Sequence, residues 1–311
     1  MGKPTLRHVK GRATYLTYRG LSGALQMVPS PAAPVIATVA GRVMSELWRS
    51  KRPLLRRNLR RVLGPGVSDA ELERMVVEAF DSYARYWVEA SRCALASDED
   101  FWAAWSVEGR EHLAAAMDAG NGVIVALPHV GNWEYGGRWL GLEGWPMTTV
   151  AEVLEPPELF GWFVEQRSKL GLEILGLGQG TSATLAKVLR QGRLVGLLAD
   201  RDLNGTGVEV EFFGEVTTLP AGPATLALRT GATLMTSAIY DRPHGTHHAV
   251  INPPIDCTRH GRLRDDIQRV TRAIAAELEV LIGAAPEQWH IFQPNWPSDR
   301  EPRLRPGASE P

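Results

Sequence analysis

The chain has 311 residues, a formal net charge of −1 at neutral pH, 44% hydrophobic residues and 22% charged ones. That length and apolar content exclude a fibrous or disordered protein and allow one large domain with a sizeable buried core. Two cysteines, Cys93 and Cys257, stand far apart without a metal spacing, which excludes a disulfide framework and suits a reducing compartment.

No secretory signal or lipidation motif is read at the N-terminus, so a cytoplasmic location is expected. The small net charge conceals an asymmetry. Residues 1–66 carry 13 Lys and Arg against one acid, Glu46, leaving a surplus of acids in the remainder. Such a swing points to an anionic partner for the N-terminal segment. Between Arg19 and Arg42 no charge occurs, but Pro29, Pro31 and Pro34 prevent one continuous spanning helix. The pattern reads as a helix, a proline-rich break and a second helix entering VIATVAGRVMSELW. Arg49, Lys51, Arg52, Arg56, Arg57, Arg60 and Arg61 follow, beside Trp48. An apolar hairpin with basic flanks suits the headgroups of an acidic bilayer, so docking on an anionic membrane surface is expected. No nucleic-acid module or stacking array is present.

From residue 68 the chain becomes regular. Ser68 and Asp69 open a helix through SDAELERMVVEAFDSYARYWVEASRCAL, with acids in its first turns. A second helix, GREHLAAAMDAG, hands over to GVIVAL, a β-rich apolar run that reads as a strand buried on both faces. Further strands are expected at MTTVAEV, LEILGL, LVGLLAD, VEVEFF, ATLMTSAIY and HAVIN. Helices NWEYGGRWLGL, PELFGWFVEQRSKLG, TSATLAKVLRQG, PAGPATLALRTG and LRDDIQRVTRAIAAELEVLIG lie among or after them. This alternation predicts an α/β fold with a central mixed, largely parallel sheet flanked by helices. One domain is expected over 1–297: a basic amphipathic helical docking segment, 1–66, and a catalytic core, 67–297. The polar stretch 298–311 reads as a disordered tail.

PHVGNWEYGG, at 128–137, places His129 directly after the apolar strand and Glu134 five residues on, at a helix start. An imidazole takes a proton near neutral pH, and a carboxylate orients the ring and stabilises its charged form. Chemistry in open α/β sheets gathers at the carboxyl ends of strands. Asp200, ending LVGLLAD, occupies the position corresponding to His129, and Arg167 lies in the helix between them. Either Glu134 or Asp200 could pair with His129. HGTHH, with His244, His247 and His248, carries no carboxylate or cysteine at ligand spacing and reads as a solvated turn, so no metal is expected. Gly176, Gly178 and Gly180 in LGLGQGT read as a turn into a helix rather than a dinucleotide loop.

PHVGNWE resembles the His-x4-Asp/Glu motif of the bacterial lipid acyltransferases that include the late acyltransferases of lipid A. Within that group the chain is most similar to the actinobacterial phosphatidylinositol mannoside acyltransferases. The likeness runs from residue 10 to about 297 through PHVGNWEYGG, EQRSKLGLEIL, LLADRDLNGTGVEVEFFG, LPAGPATLALRTGA and QWHIFQPNWP. Glu134 stands where many relatives carry Asp. The resemblance implies a glycerolphosphate-acyltransferase-like core and transfer of a palmitoyl group from acyl-CoA to a mannose hydroxyl of phosphatidylinositol mono- or dimannoside. It implies His129 as general base, oriented by Glu134 or Asp200, with no covalent intermediate and no cofactor beyond the acyl-CoA donor. Arg167 and, less directly, Arg201 would hold anionic groups of the substrates, and amides near Gly131 and Asn132 would face the oxyanion. The expected enzyme is a monomer, peripheral on the cytoplasmic face of the inner membrane. The alternatives are the same chemistry on a lipid A precursor, or a non-catalytic lipid-binding protein.

Overall fold

A computed structural model describes residues 6–203 and 205–300. Four helices come first: α1 (Leu6–Gln26), α2 (Ala33–Leu47), α3 (Arg52–Leu63) and α4 (Asp69–Arg92). A short α5 (Asp98–Ala103) leads to β1 (Trp105–Glu108) and α6 (Arg110–Asp118). The chain then alternates through β2 (Val123–Leu127), α7 (Trp133–Leu142), β3 (Met147–Ala151), α8 (Pro157–Ser168) and β4 (Leu172–Gly176). After α9 (Thr181–Arg190) and β5 (Leu194–Leu198) come β6 (Val208–Phe212), β7 (Glu215–Leu219) and α10 (Gly222–Thr230). The last elements are β8 (Thr233–Arg242), β9 (Thr246–Ile251) and α11 (Leu263–Gly283).

Seven strands form one sheet in the order β1-β9-β8-β2-β5-β3-β4, parallel throughout except between β8 and β9. The α/β architecture read from alternation is the architecture present. VIVAL is buried at every residue because β2 has strand neighbours at both edges and packing on both faces. One apolar cluster lies on the α9–α10–α11 side, around Ile124, Leu189, Leu278 and Trp289. Another lies on the α6–α7 side, around Val125, Leu127, Trp139 and Ile251. Strand β8 is long because it serves two partners. Thr233–Thr236 pair with β2, and Ser237–Arg242 pair with β9. The loop after β2 continues beside it, with Gly131 bridging Ile239.

VEVEFF does not join this sheet. It forms β6 of a separate antiparallel hairpin with β7, which the sequence reading missed. Phe213 and Gly214 turn the hairpin with φ of 51° and 73°. Two positive φ values in a two-residue loop match the strand twist of a tight hairpin and hold this pair together locally. The reading also missed β1, a four-residue edge strand bonded only to β9.

The N-terminal helix, proline break and second helix occur as expected. Helix α2 lies against α4, and Gly41 allows the approach, since a Cβ there would overlap Asp81. Ser68 caps α4 by accepting from the Glu71 amide at 3.2 Å. The basic cluster departs from expectation. Arg52 pairs with Glu73, Arg56 with Asp69 and Glu73, Arg60 with Asp69, and Arg57 and Arg61 with Asp299. Arg61 also reaches Glu215, Arg49 pairs with Glu46, and Lys51 donates to the Phe292 carbonyl. Acids distant in sequence thus neutralise charges that looked free for a membrane. Helix α2 also presents an apolar row outward, beside the exposed Arg42 and Glu46: Val35, Val39, Val43 and Leu47 are exposed at 65%, 57%, 52% and 77%. No helix among the described residues is long and apolar enough to cross a membrane.

Of the stretch read as a disordered tail, 298–311, the first residues are ordered. Ser298 and Asp299 belong to a short 3-10 turn, with the Asp299 side chain fully buried against Arg57 and Arg61. Residues 301–311 lie outside the described residues.

Candidate active site

His129 follows β2 by one residue, and Asp200 follows β5, its parallel neighbour, at nearly the same level. In-register pairing therefore brings both to one rim. His129 Nδ1 lies 2.7 Å from Asp200 Oδ1, and the His129 backbone amide donates to Oδ2 at 2.8 Å. A wholly buried carboxylate acts only as an acceptor, so Nδ1 carries the proton and Nε2 keeps its lone pair. The imidazole is 30% exposed, which leaves that face open to a substrate.

Asp200 is held from behind as well. Trp289 Nε1 donates to Oδ2 at 2.8 Å, and Asn295 Nδ2 donates to its carbonyl at 2.9 Å. Burial opposes ionisation of this carboxyl. Attraction to His129 in its protonated form and the three hydrogen bonds to its oxygens outweigh burial and hold it below the usual carboxylate range.

Glu134, in the first turn of α7, does not touch His129. Its Oε1 accepts from Arg167 Nε at 3.0 Å and from the Tyr86 hydroxyl at 3.3 Å. The Arg167 guanidinium sits 4.6 Å over the Trp133 ring. Glu134 and Arg167 thus form their own buried pair, with side-chain exposures of 7% and 15%. Burial works against the charge on Arg167, and the Glu134 carboxylate more than restores it. Arg201, next to Asp200, is half-buried.

Beneath α7 runs a narrow apolar cavity of about 30 Å³, lined by Trp133, Leu140, Met147, Ile239 and their neighbours. Gly136 and Gly137 let α7 lie close to the sheet, since a Cβ on either would press on Ile239 or Leu172. An imidazole–carboxylate pair with a free lone pair can take a proton from a hydroxyl.

The family model for bacterial lipid A biosynthesis acyltransferase matches residues 1–298. The chain belongs to this family. It is 40% identical to a phosphatidylinositol mannoside acyltransferase of Mycobacterium tuberculosis, over 79% of this chain and 77% of that one. A protein of the same name from Mycolicibacterium smegmatis is 41% identical over 79% of each chain. A lipid A biosynthesis acyltransferase of Haemophilus influenzae is 24% identical over 72% of this chain and 69% of that one. The solved 1-acyl-sn-glycerophosphate acyltransferase of Thermotoga maritima has 14% identity and a TM-score of 0.35, covering 79% of this chain and 97% of that one.

Within this acyltransferase, two sequence expectations need correction. The Gly131 and Asn132 amides do not face an oxyanion. Gly131 N donates to the Gln288 carbonyl at 3.0 Å and Asn132 N to the Ile239 carbonyl at 3.3 Å. Nor is the Asn132 side chain offered to a substrate: it is fully buried, and its Nδ2 points at Glu89 from 3.4 Å. Both follow from the loop continuing along β8 instead of opening into solvent.

The sequence reading gave no role to Trp289, Asn295 or His290, although QWHIFQPNWP stood out as a block. That segment runs past His129, with the His290 amide donating to the His129 carbonyl at 2.8 Å. The His290 ring is half-buried with Ser82 Oγ 3.0 Å from Nε2, and desolvation pushes it down to about 4, so it stays neutral. The solvated-turn reading of HGTHH fails for His247. Only His244 occupies the exposed turn, whereas His247 is 1% exposed, on β9 beside Asp241 and Glu89. Those carboxylates come from β8 and α4, so local spacing could not reveal them.

Proposed function

We propose that this acyltransferase moves a palmitoyl group from acyl-CoA to a mannose hydroxyl of a phosphatidylinositol mono- or dimannoside. The observation that carries the chemistry is the His129–Asp200 contact at 2.7 Å, with the opposite edge of the imidazole exposed. The names of the mycobacterial relatives suggest the acceptor.

Nε2 of His129 takes the hydroxyl proton as the mannose oxygen forms its bond to the thioester carbonyl. Negative charge gathers on the carbonyl oxygen, and the imidazolium is stabilised by Asp200, as in a catalytic triad. The intermediate collapses with loss of the C–S bond, and the departing thiolate recovers the proton from His129. The ester and the free thiol are the products. No enzyme nucleophile is required. The first N–H groups of α7, at Trp133 and Glu134, belong to a helix start and favour the oxyanion. Glu134 holds Arg167 charged and in place, and Arg167 and Arg201 supply cations for phosphate-bearing parts of the substrates.

Docking on the cytoplasmic face of the membrane rests on the α2 stripe, with Trp48 at its end, more than on the paired arginines. The exposed valines and Leu47 recur every four residues and form a single apolar row.

Incubation of the purified chain with radiolabelled palmitoyl-CoA and purified phosphatidylinositol mannoside should give a labelled, more acylated mannolipid. Transfer to a lipid A precursor but to no mannolipid would overturn the acceptor while leaving the chemistry. Transfer to neither would overturn the reading.

A further inference from the structure

Four side chains from four separate elements gather behind the His129 loop, three of them buried and Glu89 16% exposed at its side chain. Glu89 comes from α4, Asn132 from the loop entering α7, Asp241 from β8 and His247 from β9. The ligand atoms of Glu89, Asp241 and His247 all lie within 4.8 Å of one another. His247 Nδ1 is 3.3 Å from Asp241 Oδ1, and Nε2 is 4.0 Å from Glu89 Oε2.

None of the central atoms is satisfied. Both Asp241 oxygens, both His247 ring nitrogens and Asn132 Oδ1 are buried without a hydrogen bond. Asp241, His247 and Asn132 are 4%, 1% and 0% exposed. Buried polar atoms left unpaired cost about 1–3 kcal/mol each, and charged ones more, so the Asp241 oxygens, Asn132 Oδ1 and one His247 nitrogen call for a shared partner. A bridging imidazolium does not supply it, because neither ring nitrogen is placed to donate to the flanking acids. Nor does an arginine: Arg85 acts on Glu89 through its charge but forms no ion pair with it.

We propose that Glu89, Asp241 and His247, completed by Asn132 Oδ1, bind one divalent transition-metal ion of the zinc class. A donor set of one imidazole nitrogen with carboxylate and amide oxygens suits such an ion, and four protein ligands make a closed structural site. Tetrahedral bonds of about 2.0–2.2 Å put neighbouring donors ~3.3–3.5 Å apart, the separation His247 and Asp241 already have. Glu89 Oε2, 4.0 Å from the other ring nitrogen, reaches the same ion by turning its side chain toward Asp241. Two carboxylates and a neutral imidazole around a divalent ion sum to zero charge, the state a largely buried site favours.

The ligands are already held. Gln288 grips the Asp241 backbone at both its N–H and its carbonyl, at 2.8 and 3.0 Å. Tyr135 stacks on the His247 ring with centroids 3.6 Å apart. Because Asn132 lies three residues after His129, the ion would tie the loop bearing the proposed base to α4, β8 and β9.

The test uses the full, untagged chain. Purified without chelator, it should contain about one equivalent of zinc. After chelation it should melt lower, regain its melting temperature with added Zn²⁺, and with Co²⁺ show the visible bands of a low-symmetry tetrahedral site. His247→Gln and Asp241→Asn should lose metal and bands, while His248→Gln should retain both. Should these variants fail to fold, Asn132→Asp keeps an oxygen donor, adds a charge and should bind Zn²⁺ more tightly. A stripped wild-type chain that takes up neither ion would overturn the site, as would metal retained in His247→Gln or unchanged affinity in Asn132→Asp.

Discussion

Asp200 holds His129 at two points, one oxygen on the ring nitrogen Nδ1 and the other on the backbone amide. The first contact sets the tautomer, and the second fixes where the loop leaves β2. Asp200→Asn keeps the shape but replaces an acceptor with a group that can present N–H to Nδ1. In a serine-protease triad the equivalent change lowers turnover about ten-thousand-fold. Here a loss of about a thousand- to ten-thousand-fold in kcat is expected, with His129→Ala inactive and both variants folded by circular dichroism. Activity within tenfold of wild type in either variant would remove the pair from the mechanism.

Trp289→Phe tests the support of that carboxylate. Asp200 has its folded pKa depressed, so its contribution to stability is present above the unfolded value near 3.9 and disappears as pH falls through the folded value. Removing the indole N–H weakens the depression and should move acid unfolding to higher pH. A hydrogen bond to a charged group contributes about 1.5–3 kcal/mol, and a loss of that size is expected near neutrality. Denaturant melts at neutral pH and an acid titration followed by fluorescence measure both effects. An unchanged acid midpoint would mean that Trp289 does not stabilise the charged carboxylate.

The alternation of apolar runs with amphipathic stretches revealed the sheet because parallel strands buried on both faces leave a strong local signature. β7 and β1 left none: EVTTL and WSVE are short, half-polar and located only by partners elsewhere in the chain. The same limit governed the site. His129 and Asp200 were legible because each ends a recognisable strand, and in-register neighbours deliver both to one rim. The choice between Asp200 and Glu134 was not legible, because Glu134 is claimed by Arg167 and Tyr86 from other helices. His247 was misread for the same reason, its acids lying on β8 and α4. The arginines after Trp48 looked free only while Asp69, Glu73 and Asp299 were unplaced.

Those pairings change what membrane binding should depend on. Replacing Val39 and Val43 with Ser removes up to about 3 kcal/mol of apolar transfer, roughly a hundredfold in vesicle partitioning. Flotation with anionic liposomes should show that loss with the fold intact and with only modest dependence on salt. Reversing Arg56, Arg57, Arg60 and Arg61 should instead lower the melting temperature, because Asp69, Glu73, Asp299 and Glu215 lose their partners. If the valine variant binds as wild type while the arginine variant is released without loss of stability, docking is electrostatic and the α2 stripe is not the contact.

Glu134→Gln separates positioning from proton transfer. The amide is nearly isosteric, so the His129–Asp200 contact should survive, but Arg167 keeps its charge in a site with little water. Removing one partner of a buried pair costs about 3–5 kcal/mol, and the melting temperature should fall accordingly. Arg167→Met, also close in volume, removes the remaining charge from the same surroundings. Combined with Glu134→Gln it should recover part of that stability, since a pair replaced together leaves no isolated ion. If Glu134 serves only to hold Arg167, its loss should raise KM for the anionic substrates and leave the pH dependence of kcat set by His129. A Glu134→Gln enzyme whose pH profile loses its acidic limb would instead make this carboxylate part of the proton-transfer machinery.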